Sequence, residues 1–329
     1  MPLRSGFVTI LGRPNAGKST LLNALVGAKL AIVTRKPQTT RNRIQGILNL
    51  PKKGKRPAAQ VILIDTPGIH QPDSALGRKM MVEVREALEG CHLVLLIVDA
   101  SKPAGEDRAG NKSRGGQSGL NEHVLRLVRQ AGTPVYLLLN KIDLIPKDKL
   151  LPLIERYSKL YQFREIIPIS ARKRDGLDLL LDKIVEALPE GPRYFAEDEL
   201  TDQPARFMGA EIIREQVLLA TGEEVPYSTT VIMDQFEEKP KLTRIAATIY
   251  CERNGQKAIL IGRQGQMLKK IGTHARLEIE AMLGTKVFLE LFVKVRPGWR
   301  NSREFVEGLD WRRQLERLTR RETEFKSEE

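Results

Sequence analysis

The sequence predicts an α/β chain in two parts. A doubly wound sheet occupies residues 1–189, a linker residues 190–205, and an α+β domain residues 206–329, ending in a charged tail. Three observations carry that expectation. Apolar runs of strand length alternate with helical stretches as far as residue 188, and polar motifs follow the ends of those runs, at the edge where open α/β sheets bind ligands. Beyond the helix-breaking Pro189-Glu190-Gly191-Pro192 the order changes to αββααβ.

The first apolar run, residues 7–11, reads as a buried strand, and residues 18–26 read as a helix. Between them, Gly12-Arg13-Pro14-Asn15-Ala16-Gly17-Lys18-Ser19 matches G-x-x-x-x-G-K-[ST], with Thr20 following. A glycine-rich loop in that context wraps backbone N–H groups around a polyphosphate at the helix N-terminus. Lys18 is then expected to reach the β- and γ-phosphates, and Ser19 a magnesium ion. Residues 34–43 are polar and turn-rich, a mobile loop. Such a loop commonly supplies a threonine hydroxyl to magnesium while the γ-phosphate is present, and Thr40 is the candidate, with Thr39 next.

Residues 44–50 and 60–64 read as strands joined by a basic turn at 51–57, a solvated hairpin tip. The second strand runs into Asp65-Thr66-Pro67-Gly68. A carboxylate at a strand end, beside a glycine whose N–H can face the terminal phosphate, fits a water-mediated magnesium ligand and a γ-phosphate sensor. Lys18, Thr40 and Gly68 are therefore the candidate catalytic residues, and Ser19, Thr40 and Asp65 the candidate metal site. After a helix at 77–88 and a continuous apolar strand at 93–99, residues 101–119 lack the apolar content for a core. They read as a disordered surface insertion before a helix at 121–130.

The strand at 135–139 ends at Asn140-Lys141-Ile142-Asp143. Guanine presents two donors, N1–H and the N2 amino group, which one Asp143 carboxylate accepts together; adenine offers an acceptor there and leaves the carboxylate unpaired. The expected base is guanine. Ser170-Ala171 follows the last strand, 166–169, where a backbone N–H can bond the guanine O6. A helix at 177–188 closes this part.

The second part reads as a helix at 206–220, strands at 228–236 and 242–253, and a short helix near Lys257. The loop Gly262-Arg263-Gln264-Gly265, a helix at 267–283 and a strand at 286–295 complete it. This G-x-x-G is informative because it joins two helices, where small residues let a nucleic-acid strand approach the backbone and a neighbouring apolar groove can take unstacked bases. From residue 255 to 300 nine Lys or Arg stand against three Glu, a basic face. Arg263, Gln264, Lys269, Lys270 and Arg276, with the two glycines, are the candidate RNA contacts.

Composition agrees with these readings. A net charge of +13 and a pI near 9.7 favour a polyanionic partner, nucleic acid or an acidic lipid surface. Cys91 and Cys251 lie far apart without a CxxC partner, and the N-terminus lacks the apolar run of a signal peptide, as in a reducing, cytoplasmic setting. No apolar stretch approaches the roughly 20 residues that cross a bilayer.

Together, Gly12 to Thr20, Gln38-Thr39-Thr40-Arg41, Asp65 to Gly68, Asn140 to Asp143 and Ser170-Ala171 resemble the Era family of bacterial GTPases. So does the segment from Arg206-Phe207-Met208 through Gly262 to Gly265, which resembles a KH domain, and the resemblance spans nearly the whole chain. It implies a P-loop GTPase domain followed by a type II KH domain, hydrolysis of GTP to GDP with Mg2+, and binding of the 3′ end of 16S ribosomal RNA during assembly and maturation of the 30S subunit. It also implies a monomer that is cytoplasmic, with peripheral association at the inner face of the cell membrane. Asn15 stands where related GTPases hold a potassium ion, so K+ is a second expected cation. The insertion at 101–119, the turn at 51–57 and the tail after Trp311 depart from the family pattern. Where many GTPases place a water-orienting glutamine, this chain has Ile69, which implies slow intrinsic turnover accelerated by RNA or the ribosome. Two other readings remain: a GTPase whose C-terminal domain binds protein or membrane, and an RNA-binding scaffold that only senses GTP.

Overall fold

The structure, a computed structural model, describes residues 2–312 apart from 35, 37, 38, 70, 71, 103–121 and 223. Its first sheet is built from β1 (Arg4–Gly12), β2 (Ile44–Leu50), β3 (Ala59–Asp65), β4 (Leu93–Asp99), β5 (Val135–Asn140) and β6 (Glu165–Ile169), ordered β2-β3-β1-β4-β5-β6. Every pairing is parallel except β2 with β3. β4 buries its first six residues and β5 all of its own, as central strands of a helix-covered parallel sheet must. Helices α1 (Lys18–Val26), α2 (Ala75–Leu88), α3 (Glu122–Ala131), α4 (Leu150–Ser158) and α5 (Leu177–Ala187) alternate with these strands along the chain. β1 pairs with β3 on one side and β4 on the other. The C-terminal end of β1, at Gly12, is thus the switch point where such a sheet opens a crevice for ligand.

The expected strands and helices are present, with ends shifted by a few residues. Helix α4 had no counterpart in the sequence reading. It packs Tyr157, Leu153 and Ile154 into the core beside β5, and its short apolar pattern is broken by Pro152. The basic turn is a hairpin tip closed by Lys53 and Arg56, which exchange backbone hydrogen bonds of 3.1 and 3.0 Å. The expected insertion falls almost wholly outside the described residues, as does the tail beyond Arg312.

The described residues divide into two compact units, Met1–His70 with Met81–Asp202, and Gln71–Met80 with Gln203–Glu329. The expected linker therefore belongs to the first unit as far as Asp202. Residues 197–201 lie along β2: the Asn49 amide donates to Glu197 O at 3.0 Å, Ile47 N–H to Leu200 O at 2.8 Å, and the Thr201 hydroxyl to Gln45 O at 2.6 Å. Gln60, fully buried on β3, pins the segment by accepting from the N–H groups of Tyr194 and Phe195 and donating to Phe195 O. The polar, charged composition of 193–202 hid this role, because the contacts are made by backbone.

The second unit contains α6 (Ala205–Ala220), β7 (Thr230–Glu237), β8 (Leu242–Cys251), α7 (Asn254–Ile261), α8 (Gln266–Leu283) and β9 (Lys286–Val295), the expected αββααβ order. Its sheet runs β7-β8-β9, antiparallel then parallel. Ile213, Val217, Ile245, Ile249, Leu260, Ile271, Ile279 and Val293 form the core between sheet and helices. A short α9 (Arg303–Gly308), capped by the Ser302 hydroxyl, helps to enclose Trp299, whose indole N–H donates to Ser228 O at 2.8 Å. Both cysteines are free and buried.

Candidate nucleotide site and nucleic-acid interface

Four strand ends of the first unit meet at one edge of its sheet. After β1, the loop from Gly12 to Gly17 turns into α1, with Asn15 at φ 62° and Gly17 at φ 105°. The Lys18 ammonium lies over this loop, donating to Gly12 O at 3.2 Å and Arg13 O at 3.1 Å. Burial pulls its pKa from 10.5 down to about 8, with the Asp65 carboxylate acting in the opposite direction. A phosphate chain would supply the negative partner that the enclosed ammonium requires.

Ser19, Thr40 and Asp65 come together as expected. The Ser19 hydroxyl donates to Asp65 Oδ2 at 2.6 Å and lies 2.9 Å from the Thr40 hydroxyl, which itself reaches Asp65 Oδ2 at 3.2 Å. Asp65 is fully buried, and burial raises its pKa against the pull of Lys18, the two hydroxyls and the Thr66 N–H. Its Oδ1 is buried without a hydrogen-bond partner. Two hydroxyls and a half-satisfied carboxylate suit a hard divalent cation that completes its shell with phosphate oxygen and water. The donor set therefore fits magnesium. Thr39 is excluded from it, because its hydroxyl turns back to Lys36 O at 2.7 Å.

Asp65-Thr66-Pro67-Gly68 divides its labour. The Thr66 hydroxyl is spent on Ile10 O at 2.7 Å, a structural bond to β1. Gly68 lies so close to Pro14 that a Cβ would meet Pro14 backbone within 2.9 Å, so only glycine keeps this turn against the phosphate loop. Ile69 buries its side chain in the core with Leu11 and Met81 and donates its N–H to Gly12 O at 3.1 Å. It offers no polar group to a water molecule.

At the ends of β5 and β6, Asn140 is buried and bridges two loops: its amide donates to Ala16 O at 2.8 Å and its Oδ1 accepts from Ala171 N–H at 3.0 Å. A backbone N–H of Ser170-Ala171 is expected at guanine O6; in the structure the Ala171 N–H of that pair donates to Asn140 Oδ1. Lys141 donates to Asn15 O at 2.8 Å. Asp143 is exposed, and its Oδ1 accepts from the Ser170 hydroxyl at 2.6 Å, which fixes the carboxylate where a base edge with two donors can meet it. Sequence reasoning missed the part played by Asn140 in binding the loops together, because only the fold brings residues 16, 140 and 171 to one point.

In the second unit, Gly262 takes φ 70° and its Cβ position would overlap Met267, while Gln264 (φ 52°) and Gly265 (φ 78°) are also left-handed. This bend lets α7 run into α8 and presents Arg263 and Gln264 to solvent, with Lys269 and Lys270 exposed on the first turn of α8. Arg276 departs from expectation. Its guanidinium is paired with Glu280 at 2.8 Å one turn later, so its charge is partly neutralised by an intrahelical bridge that the sequence reading did not weigh.

A family model described as a 50S ribosome-binding GTPase matches residues 7–141, and a KH-domain model matches residues 224–300. The chain is 48% identical over 314 residues to GTPase Era of Ruminiclostridium cellulolyticum, covering 95% of this chain and 99% of that protein. It is also 48% identical to GTPase Era of Geobacter metallireducens, over 94% of this chain and 98% of that one. Among solved structures it resembles Era in complex with MgGDPNP and nucleotides 1506–1542 of 16S ribosomal RNA, with a TM-score of 0.84 and 39% identity over 93% of this chain and 98% of that one. A point variant of Aquifex aeolicus Era bound to GDP.AlF4- gives a TM-score of 0.82 at 39% identity, over 92% and 98%.

Two expectations follow from the site geometry. Because Lys18 has a lower pKa folded than unfolded, its burial opposes folding in full below about pH 8, and that penalty is relieved progressively as pH rises from about 8 toward the unfolded value of 10.5. A triphosphate favours the protonated form, so GTP affinity should fall as pH is raised from 7 to 9, by no more than about tenfold per pH unit. Lys18→Ala should bind weakly but lose that part of the slope, which separates it from titration of the base; equal slopes in both proteins would refute the assignment. Asp143→Asn should weaken GTP by about 2–3 kcal/mol and improve binding of xanthosine triphosphate, whose O2 can accept from the new amide. Competition against a fluorescent nucleotide checks this, and unchanged GTP affinity with no gain for the xanthosine analogue would remove Asp143 from base reading.

Proposed function

The chain belongs to the Era family of GTPases, and from that premise we propose that it hydrolyses GTP to GDP with Mg2+ while its KH domain holds the 3′-terminal segment of 16S ribosomal RNA. In this role it acts as a monomer in assembly of the 30S subunit. The observation that carries the proposal is the convergence of Ser19, Thr40 and the half-satisfied Asp65 beside the buried Lys18. The exposed Gly262 to Gly265 turn in the KH domain supplies the second half, and the similar Era complex with both MgGDPNP and a 16S ribosomal RNA segment supports joining the two.

Mg2+ bound there would draw negative charge from the β- and γ-phosphate oxygens. Ser19, Thr40 and Asp65 would hold it, and its positive charge would balance the buried Asp65 carboxylate. Lys18 neutralises the same oxygens from the phosphate-loop side. Gly68, pressed against Pro14, brings the backbone N–H that senses the γ-phosphate. With Ile69 in the core, the attacking water has no side chain at that position to orient it, so turnover rests on backbone positioning and electrostatics and is slow until RNA engages.

The net charge of +13 also suits peripheral contact with an anionic lipid surface in a cytoplasmic protein, and no helix among the described residues is long and apolar enough to cross a membrane. A potassium ion is proposed at Asn15, a phosphate-loop residue with a left-handed backbone at φ 62°. Hydrolysis should run faster in potassium than in sodium, and Asn15→Gly, which keeps the backbone conformation, should erase the difference; equal wild-type rates would leave Asn15 a turn residue. For RNA, Arg263→Asp with Gln264→Asp should weaken binding of a single-stranded 16S 3′-end fragment and reduce the slope of log affinity against log salt by about 0.7 for each lost phosphate contact. GTP binding should survive. Equal RNA affinity and slope in both proteins would refute the role of this loop, and GTP hydrolysis unresponsive to saturating RNA would favour a GTP-sensing scaffold.

A further inference from the structure

We propose that Asp99 is a positioning residue for the nucleotide site, acting through Lys141 to hold the phosphate loop and the base-reading loop in register. Asp99 is the last residue of β4, the one polar side chain of an otherwise apolar strand, and pairs in parallel register with Asn140 at the end of β5. The residue after β5, Lys141, takes a left-handed backbone at φ 68°. That conformation, costly for a residue with a side chain, accompanies the placement of its ammonium against the end of β4. There it donates to Asp99 Oδ2 at 2.6 Å and to Asn15 O at 2.8 Å. The Asp99 carboxylate is almost enclosed, with 8% of its side chain exposed, while Lys141 is less covered at 29%.

Asn15 is itself left-handed at φ 62°. One ammonium thus joins two costly turns, and one carboxylate fixes the ammonium. Asp99 has a second tie of its own: its Oδ1 accepts from the Ser101 N–H at 3.1 Å and from the Ser101 hydroxyl at 2.6 Å. The carboxylate is therefore anchored on one oxygen by its own strand end and spends the other on Lys141. Lys102, at 3.8 Å and largely exposed, is a looser neighbour. A parallel tie, Asn140 to Ala16 O, lies one residue along each loop. Asn140 is neutral and bonds backbone from both its amide nitrogen and its amide oxygen, whereas Lys141 needs a charge partner, and Asp99 supplies it. Removing that carboxylate leaves the lysine free to leave Asn15, and the amides of the phosphate loop lose their alignment on the β-phosphate, which GTP and GDP share.

The inference rests on the guanine-nucleotide reading of this edge, and the experiment separates the two. Full-length wild type, Asp99→Asn, Asp99→Glu, Lys141→Met and the Asp99→Asn, Lys141→Met double variant are titrated with fluorescent GDP and a non-hydrolysable GTP analogue. Steady-state hydrolysis and thermal melting are measured alongside. Asp99→Asn should bind both nucleotides about tenfold or more weakly, raise KM by a similar factor and keep kcat within about twofold, with little change in melting temperature. Asp99→Glu should recover most of the affinity, because the longer carboxylate still reaches the ammonium. The double variant should bind no more weakly than Lys141→Met alone, since Asp99 acts only through that lysine. Losses that multiply in the double variant, wild-type affinity in Asp99→Asn, or a fall in kcat and melting temperature without a change in KM would each overturn the assignment. A wild type that binds neither nucleotide would overturn it together with the guanine-nucleotide reading.

Discussion

Two charges enclosed by protein set the terms for the first unit. Lys18 and Asp65 are both buried, their pKa values displaced toward neutrality, and neither finds enough compensation in its protein neighbours. A buried ammonium and a buried carboxylate persist in a fold when ligands of opposite sign complete them. In the proposed function a polyphosphate would do so for Lys18 and a divalent cation for Asp65. Both would arrive in one metal-nucleotide complex, so a single binding event would relieve the two groups and bound nucleotide would stabilise the unit.

The rest of the edge is organised to hold the loops that carry those charges. Four loops leave four strands, and hydrogen bonds tie each to a neighbour. Asn140 provides two of these ties with one side chain, Lys141 a third, Thr66 a fourth through Ile10, and Ile69 N–H a fifth through Gly12. Glycine enters where backbones approach too closely for a Cβ, as Gly68 does against Pro14. The loop carrying Thr40 is anchored beyond it, where Arg43 meets the buried Glu83 of α2 through its N–H at 3.2 Å and its guanidinium at 3.7 Å. Rigidity at this edge is a condition for catalysis by positioning when no side chain orients the attacking water.

The second unit solves a different problem. In the proposed function nucleic-acid backbone must come close to protein backbone, and the positive φ values of Gly262, Gln264 and Gly265 make the tight turn between α7 and α8 that presents Arg263 and Gln264 to solvent. The cations flanking it are exposed, whereas those farther along, Arg276 with Glu280 and Arg300 with Glu252 at 2.7 Å, are partly neutralised within the fold. Net charge on a face therefore overstates the charge available to a ligand.

The αβ alternation, the αββααβ order, the phosphate loop, the aspartate-to-glycine turn after β3 and the N-K-x-D segment were legible from residues alone, because each depends on side-chain type at fixed spacing. Local patterning also located β4 and β9 to the residue. What required tertiary structure was a set of pairings between distant segments. Asn140 joins Ala16 O to the Ala171 N–H; residues 197–201 lie along β2; and Asp99 is a partner of Lys141 rather than one more charged strand end. These were decided by which backbone atoms the sheet register brings within hydrogen-bond reach, a quantity that composition and periodicity do not contain. The chemistry of the ligand was written in the sequence, and the assignment of each polar atom to ligand or scaffold was made by the fold.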